Sequence, residues 1–257
     1  MSILYLEKIA SNFQKELDLA ERGYKTSLPF IINPIPEQKI IDGNEIFQVM
    51  VTGGTIFKSA LVQKNKHAIK IVKENKNDLP LFLTKELFLS YITNALEKNV
   101  KFLAINFTYG LKPFFRRGIL DGSDPIPSKG HLFKGFGNET IGESVEKYIF
   151  EKIGKKIRVS VANDTICLLL SSLEKISWNR IAAGIAGTGV NFAFFIDKNK
   201  AVNLESASFD KFIQTETGKI IDLKYNKDQD LFEKETSGAY LYKHFNLLIK
   251  KRNINHP

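Results

Sequence analysis

The spacing of hydrophobic and polar residues predicts a mixed α/β chain. Apolar residues at helical spacing, separated by charged ones, predict a first helix over residues 3–23. Prolines crowd residues 29–36, and this density predicts an extended connection. Three apolar runs then lie between Glu45 and Val72, and their β-branched content predicts three strands: IFQVMV, TIFKSALV and HAIKIV.

The same periodicities continue along the rest of the chain. Thr84 is expected to cap a helix over 84–98, and KFLAINF at 101–107 predicts a strand. The remaining predicted elements are a helix from an Asn138 cap to about 152, a strand over 156–162, a helix beginning at Asp164, a hairpin around Gly187-Thr188-Gly189, and an amphipathic helix over about 231–250. The alternation of strands with helices favours an α/β fold.

Composition narrows the class of protein. With 43% hydrophobic and 25% charged residues, the chain is typical of soluble globular proteins and not of disordered ones. The formal charge of +9 would suit an anionic partner, but the lysines are scattered and form no block, so no nucleic-acid interface is expected.

The chain also lacks the usual signs of a membrane or secreted protein. Its longest uncharged run, 181–196, is too short and too rich in glycine to span a membrane. Cys167 is the only cysteine, which excludes a disulfide framework and a cysteine-built metal site. A cytoplasmic location is the simplest expectation.

The stretch VSVANDTICLLL places two polar residues where a predicted strand meets a predicted helix. A carboxylate at this point, here Asp164, would point into the crevice in which α/β sheets bind ligands. On position alone, however, the favoured interpretation is that Asp164 only caps the helix.

Two glycine turns could each approach a phosphate group. Gly53-Gly54-Thr55 joins two predicted strands and is followed by Lys58, while Gly187-Thr188-Gly189 offers a hydroxyl and backbone N–H groups. An ordinary tight turn is the simpler explanation of each motif by itself. No carboxylate lies beside the first turn in sequence to hold the metal that usually accompanies nucleotide phosphates.

Two glutamates complete the set of candidates. Glu205 interrupts the apolar stretch AVNLESASF, and Glu233 lies in LFEKETSG at the first turn of a predicted helix. Taken alone, Glu205 is explained as a surface residue and Glu233 as an acid that favours a helix N-terminus.

In their order and spacing, these motifs together resemble hexokinases of the eukaryotic type, within the superfamily of sugar kinases, actin and Hsp70. The resemblance covers about residues 8–250. The segments that carry it are SNFQKELDLAERG, SLPFIINPIPEQKIIDGNEIFQVMVTGGTIFK, INFTYG, GILDGSDPIPSKGHLFKGF, VANDT, GTGVN, VNLESASF and FEKETSGAYL.

The resemblance implies a fold and a division into domains. The fold is the α/β fold of actin-like ATPases (ribonuclease H-like), with two domains around a sugar cleft. A small domain is expected at 45–160, and 161–257 should form the first part of an incomplete large domain. Residues 1–44, an N-terminal helix and linker, should pack with that large domain.

Residue by residue, the resemblance implies a hexose site. The positions that bind the sugar in the family correspond to Lys134, Asn163, Asp164, Asn191, Glu205 and Glu233. A ring of hydroxyls needs such carboxylates, amides and ammonium groups, because each hydroxyl both donates and accepts. Asp164 matches the general base for the 6-hydroxyl, and Lys134 is implied beside it as a catalytic residue.

The implied reaction is ATP-dependent phosphorylation of a hexose, with glucose as the expected substrate and Mg²⁺ as cofactor. The residues implied in binding ATP belong to the two glycine turns and are Gly53, Gly54, Thr55, Lys58, Gly187, Thr188 and Gly189.

Several positions depart from the family's pattern. The family's first turn reads DLGGTNFR, and Val51 stands in place of its aspartate, which helps to hold hydrated Mg²⁺. Phe133 replaces the threonine of TKGF, and Gly110 replaces a serine near the sugar. No residue is therefore predicted as a metal ligand, although Asp124 is an acidic candidate for a compensating role.

The largest departure is length, because family members continue well beyond FEKETSGAYL with a segment that binds adenosine. Three explanations stay open. The chain could be half of a split kinase that needs a complementary C-terminal chain and exposes an apolar face, a degenerate relative that binds or senses sugar without catalysis, or a minimal active kinase. Glucose phosphorylation is the leading prediction, and a basic nucleic-acid-binding module is the alternative from another class.

Overall fold

A computed structural model describes residues 3–37, 41, 43–65, 68–127 and 130–251. The helices are α1 (Ile3–Glu21), α2 (Lys85–Asn94), α3 (Ile141–Ile153), α4 (Asp164–Ser171), α5 (Glu216–Lys224), α6 (Leu231–Thr236) and α7 (Gly238–Lys251). The strands are β1 (Ile31–Pro34), β2 (Ile46–Thr52), β3 (Ile56–Lys64), β4 (Ile69–Asp78), β5 (Phe102–Phe107), β6 (Lys112–Arg116), β7 (Ile119–Ser123), β8 (Arg158–Asn163), β9 (Ala182–Ala186), β10 (Val190–Asp197) and β11 (Lys200–Asn203).

Most of the predicted elements are confirmed within a few residues. The Thr84 cap is confirmed as well, because its hydroxyl accepts a hydrogen bond from the Leu87 N–H at 3.3 Å. Two predictions are wrong: α3 begins after Thr140 and not at an Asn138 cap, and the helix predicted over 231–250 is two helices. His67, the first residue of the third predicted strand, and the tail at 252–257 lie outside the described residues.

A five-stranded sheet forms the framework of the candidate site. Its strand order is β4-β3-β2-β5-β8. Strands β2, β3 and β4 pair antiparallel, whereas β5 pairs parallel with both β2 and β8. Because parallel strands end at the same edge of a sheet, the residues that follow β2, β5 and β8 meet there. Those residues are Gly53, Thr108 and Asp164.

One face of this sheet is covered by α2 and α3 and forms the core. Alternate strand residues such as Met50, Ile105 and Val161 point to this face, as the two-residue period of a strand requires. Phe88 of α2 and Val145 of α3 pack in the same cluster, and both side chains are fully buried. Each such burial stabilises the fold by about 1.5–3 kcal/mol.

By the packing of its residues, the chain divides into two compact units. Unit 1 comprises Met1–Ile31, Ala182–Phe194 and Val202–Pro257, and unit 2 comprises Ile32–Ile181 and Phe195–Ala201. Unit 2 contains the five-stranded sheet and its core. Unit 1 contains α1, β9 and the helices α5–α7. The domain boundaries expected from the sequence, at 44 and 160, stay a prediction.

A second sheet has four strands in the order β1-β11-β10-β9. Within unit 1, β9 and β10 form the predicted antiparallel hairpin, with Ala186 paired with Val190 across the turn. The aromatic ring of Phe13 on α1 packs edge-on against Phe209, with ring centroids 4.9 Å apart. This contact attaches the N-terminal helix to the same unit.

Helix α7 exposes an apolar face. Leu241, Phe245 and Leu248, spaced at four and then three residues, are 53%, 57% and 46% exposed. None of the helix residues is buried. Among the described residues, no helix is long and apolar enough to cross a membrane. The helix is therefore amphipathic, and its apolar face is largely exposed.

Candidate active site

Asp164 lies at the carboxyl edge of the five-stranded sheet, as the first residue of α4. Asn163 is the N-cap of that helix, and its Oδ1 accepts from the Thr165 N–H at 3.0 Å. The Asp164 carboxylate accepts from the same N–H at 2.8 Å and remains half-buried. The positive end of the helix dipole favours a carboxylate here. Asn163 is thus the N-cap, and Asp164 is the first residue within the helix.

The turn Gly53-Gly54-Thr55 connects β2 and β3 at the same edge. The Gly53 N–H donates to the Ile56 carbonyl at 3.0 Å, and the Tyr109 hydroxyl donates to the Gly53 carbonyl at 3.1 Å. Burial raises the pKa of Tyr109, so this hydroxyl keeps its proton. The N–H groups of Gly54 and Thr55 have no hydrogen-bond partner within the described part of the chain. The turn is therefore fixed while two donors stay available.

Lys134 is held by its backbone close to the start of α2. Its N–H donates to the Leu83 carbonyl at 3.1 Å, and its carbonyl accepts from the Lys85 N–H at 2.9 Å. The side chain is exposed, and no ion pair with another described residue engages it. This arrangement leaves the Lys134 ammonium available for a ligand.

Of the two positions that lack a hydroxyl of the predicted sugar site, Phe133 has a structural explanation. Phe133 is 3% exposed and packs against the rings of Phe88, Phe107 and Tyr109, with centroids 4.9–5.9 Å apart. It serves the core and does not line a site. At Gly110, a Cβ atom would lie 2.8 Å from Cδ1 of the exposed Ile126 side chain, which can move aside, so the structure does not explain the loss of the serine.

In unit 1, Asn191 and Glu205 are joined by a buried asparagine. Asn191 Nδ2 donates to Asn203 Oδ1 at 2.7 Å, and Asn203 Nδ2 donates to Glu205 Oε1 at 2.6 Å. Asn203 is 1% exposed and was missed by the sequence analysis. The available signal was an amide within the apolar run AVNL, two residues before the glutamate. The chain of amides fixes the direction in which the Glu205 carboxylate points.

Glu233 lies against the second glycine turn. Its Oε2 accepts from the Val190 N–H at 3.2 Å. A Cβ atom on Gly189 would lie 2.5 Å from the same oxygen, so only glycine permits this approach. The Gly187 and Thr188 carbonyls accept from the Gly238 and Ala239 N–H groups at 2.7 and 3.3 Å, which docks the turn on the start of α7.

Helix α6, which carries Glu233, is anchored by a buried ion pair. Lys234 Nζ donates to Asp222 Oδ1 of α5 at 2.7 Å and to the Asn226 carbonyl at 2.8 Å, and its side chain is 1% exposed. Burial acts to raise the pKa of Asp222, but the hydrogen bonds from Lys234 and the Asp228 N–H hold it below its usual value. His244 of α7 adds a bond of 2.8 Å to the Lys234 carbonyl.

The six predicted sugar-binding residues thus fall into two sets. Lys134, Asn163 and Asp164 belong to unit 2, together with the first glycine turn. Asn191, Glu205 and Glu233 belong to unit 1, together with the second turn. Within each unit, the structure brings a turn and polar side chains to the same region, and the roles of all these residues stay predictions.

Oxygen groups suitable for a hydrated Mg²⁺ are present at the sheet edge of unit 2. Val51 offers none, and no cluster of three or more His, Cys, Asp or Glu exists among the described residues. Asn106, paired with Val51 across β2 and β5, has a buried side-chain oxygen without a hydrogen-bond partner in the described part of the chain. Because Mg²⁺ keeps several waters and needs few protein oxygens, Asn106 and Asp164 fit such an ion.

Cys167 reports on the charge of Asp164. Burial, and secondarily the negative charge of Asp164, raise the pKa of the Cys167 thiol from 9.0 to about 12. We expect iodoacetamide to label the native thiol at pH 8 about a thousandfold more slowly than the unfolded one. In the Asp164→Asn variant, the Cys167 thiol should be labelled faster than in wild type. The gain should be much less than a thousandfold, because burial is the larger cause of the raised pKa. Equal rates, measured by mass spectrometry, would contradict an ionised Asp164 beside the thiol.

No protein-family model matches the sequence, and no curated protein sequence matches it. Solved structures of hexokinases do match. The hexokinase from Schistosoma mansoni complexed with glucose superposes with a TM-score of 0.80 and 19% identity, over 99% of this chain and 64% of that one. A second hexokinase structure gives 0.75 and 19%, over 100% of this chain and 66% of that one.

These comparisons concern the fold, since the identity is low and the chain spans slightly less than two thirds of each hexokinase. The position of Asp164, where β8 meets α4, agrees with the strand-to-helix junction expected from the sequence. The chain has the hexokinase fold, an α/β fold of the actin-like ATPase class.

Proposed function

We propose that this protein is a hexokinase-type kinase that phosphorylates a hexose, with glucose as the substrate, at the 6-hydroxyl at the expense of ATP. The observation that carries the proposal is the shared sheet edge of unit 2. Asp164 and the Gly53-Gly54-Thr55 turn follow strands that end at this edge. A candidate base and a candidate phosphate site therefore lie on one rigid framework.

In the proposed reaction, Asp164 accepts the proton of the 6-hydroxyl. The oxygen bonds to the γ-phosphorus as the bond from phosphorus to the β–γ bridging oxygen breaks, and ADP leaves. Lys134 orients the sugar and balances charge, while Asn163 holds the start of α4 so that the base keeps its direction. General base catalysis of this kind contributes about 10²–10⁴ in rate.

The other sugar contacts are proposed in unit 1. Asn191, Glu205 and Glu233 would hydrogen-bond the ring hydroxyls, and the Asn203 bridge supports this role because it orients an amide and a carboxylate together. The Thr188 hydroxyl and the neighbouring glycines are proposed to contact the ATP phosphates. Mg²⁺, when bound, neutralises charge on those phosphates, with Asn106 and Asp164 as the oxygen groups offered by the chain.

A non-catalytic sugar-binding or sensing protein is the second candidate. It is favoured by Val51, which leaves the first turn without the carboxylate of the family's pattern.

The apolar face of α7 supports a further element of the proposal, namely a complementary chain that supplies the part of the hexokinase fold not spanned here. We propose a cytoplasmic reaction that feeds phosphorylated hexose into glycolysis.

Formation of glucose 6-phosphate by the purified chain, supplied with glucose and Mg-ATP, tests the proposal. ATP-dependent product supports the kinase. A melting temperature raised by glucose, without product, supports the sugar-binding candidate and contradicts catalysis by this chain alone. The absence of both product and glucose binding would contradict both candidates.

We expect Glu205→Gln to weaken glucose binding by about 10–100-fold, because a hydrogen bond to a charged group is worth about 1.5–3 kcal/mol. The amide of the variant can still accept from Asn203 Nδ2, so the fold should be kept. Glu216→Gln, at an exposed glutamate paired with Lys251, is the matched control and should bind normally. Titration calorimetry measures both, and equal affinities would remove Glu205 from the site.

A further inference from the structure

A row of three side chains crosses the five-stranded sheet beside the first glycine turn. Val51 of β2 pairs with Lys58 of β3 on one side and with Asn106 of β5 on the other. Their strand neighbours Met50 and Ile105 point into the core. Since successive side chains of a strand alternate between faces, the three residues lie on the face away from the core.

Asn106 carries an unexplained polar atom in this row. Asn106 as a whole is half-buried, but its Oδ1 atom is fully buried. This oxygen has no hydrogen-bond partner within the described part of the chain. A carbonyl oxygen that loses its water without gaining a donor destabilises the folded state. An apolar residue at 106 would avoid that cost, so the oxygen calls for a role outside the fold itself.

We propose that Asn106 supplies the oxygen that holds the hydrated divalent cation accompanying the nucleotide phosphates, in place of the carboxylate missing at Val51. The inference rests on the proposed function, because it assumes a nucleotide at the first turn. An amide oxygen is a hard ligand of the type that such a cation accepts, and it can act through one of the ion's waters. Rotation of the amide about χ2 turns the oxygen without moving the backbone.

The lysines beside the row suit a phosphate. A cavity of about 480 Å³ opens on this face beside Val51, and its lining includes Lys58, Lys76 and Glu74 but not Asn106 or the turn. The turn with its available N–H groups begins two residues after Val51. Asp124, the acidic candidate from the sequence, lines a different cavity beside the start of α3. Asn106, unlike Asp124, pairs directly with Val51, and this pairing makes it the better replacement.

The pairing of Val51 with Asn106 leads to a specific expectation for variants at these two positions. Positions 51 and 106 are on adjacent strands about 4.8 Å apart, so a carboxylate at either one reaches the same point. Val51→Asp and Asn106→Asp should therefore have similar effects. Ala104, paired with Val49 on the same face, lies about 6.6 Å further from the turn, so Ala104→Asp is the matched control.

The experiment is a titration of the full chain with Mn²⁺, followed by electron paramagnetic resonance, with and without ADP. We expect Asn106→Asp and Val51→Asp each to bind Mn²⁺ about tenfold more tightly than wild type in the presence of ADP, since added ligand charge tightens a cation site. Asn106→Leu should weaken Mn²⁺ binding about tenfold and yet raise the urea midpoint, because it removes the unpartnered oxygen. Ala104→Asp should match wild type.

Mn²⁺ affinity of Asn106→Leu equal to that of wild type would overturn the inference. So would a gain in Ala104→Asp as large as in Asn106→Asp, because any added charge would then suffice. ADP binding, measured separately in EDTA, distinguishes this failure from failure of the proposed function: a chain that binds no ADP contradicts both. A chain that binds ADP and Mn²⁺ as expected but makes no glucose 6-phosphate contradicts only the proposed catalysis.

Discussion

Replacement of Asp164 by asparagine is expected to lower glucose phosphorylation by about 10²–10⁴-fold. The amide cannot take the proton of the 6-hydroxyl, but its oxygen can still accept from the Thr165 N–H, which now bonds the carboxylate at 2.8 Å. The start of α4 should therefore be kept. A coupled assay for glucose 6-phosphate, run under saturating glucose and Mg-ATP, measures the effect on kcat.

Two further measurements make this result interpretable. Glucose affinity of the Asp164→Asn variant, by calorimetry, should fall far less than kcat does, because a base acts on the transition state and not mainly on binding. An equal loss in both would assign Asp164 to binding alone. Asn163→Ala removes the N-cap oxygen that accepts from the Thr165 N–H at 3.0 Å. This variant should lower the free energy of unfolding by about 0.5–2 kcal/mol.

The second large effect is expected on stability. Replacement of Asp222 by alanine should lower the free energy of unfolding by about 3–5 kcal/mol, because it leaves the Lys234 ammonium buried without its counter-ion. Glucose binding should weaken as well, since Lys234 fixes the helix that carries Glu233. Urea unfolding and calorimetry measure the two consequences on the same preparation.

Two controls compare the buried ion pair of Asp222 with an apolar pair and with an exposed ion pair. The double variant Asp222→Leu with Lys234→Met should recover most of the stability, because a packed apolar pair can replace a buried ion pair. Asp210→Ala, at an exposed ion pair with Lys211, should cost at most about 1 kcal/mol. A single-variant loss no larger than that of Asp210→Ala would show that the buried pair contributes little.

The contribution of Asp222 to the free energy of unfolding should depend on pH. Its folded pKa is lowered, so the unfolded chain binds the proton more readily. The contribution is therefore fully present above the ordinary pKa of about 3.9 and is lost as the pH falls through the lower folded value. The difference between wild type and Asp222→Ala should accordingly shrink only in strongly acidic solution, and a difference that shrinks near neutrality would point to another group.

Local patterns predicted the elements whose apolar periodicity is continuous in the sequence. β2, β3, β5 and β8 were visible as apolar runs, and the strand-to-helix junction at Asn163-Asp164 was located to the residue. Long-range contacts account for the failures. The start of α3 could not be read from Asn138, because its first N–H groups are bound by the carboxylate of Asp121, 2.7 Å from the Gly142 nitrogen.

The break between α6 and α7 has a similar origin. Helical periodicity runs through Ser237 without interruption, so a single helix was predicted. In the structure, the Gly238 N–H donates to the Gly187 carbonyl at 2.7 Å. A turn distant in sequence thus supplies the cap that starts a new helix.

The candidate site shows the same limit. Resemblance to a family identified the residues that correspond to known positions, such as Glu205 and Glu233. It could not identify Asn203 or Asn106, because their significance depends on which strand lies beside which. Asn106 becomes notable only once it is seen to pair with Val51.

The contact between Gly189 and Glu233 also constrains how this protein can evolve. A Cβ atom at position 189 would lie 2.5 Å from the Glu233 carboxylate, so a side chain at 189 requires that carboxylate to move or to be absent. In a homologue without this glutamate, glycine is no longer required at position 189, and the sequence of the turn can change. Among homologues, any side chain at position 189 should therefore coincide with a shortened residue at 233, and this covariation would separate descendants that kept the site from those that abandoned it.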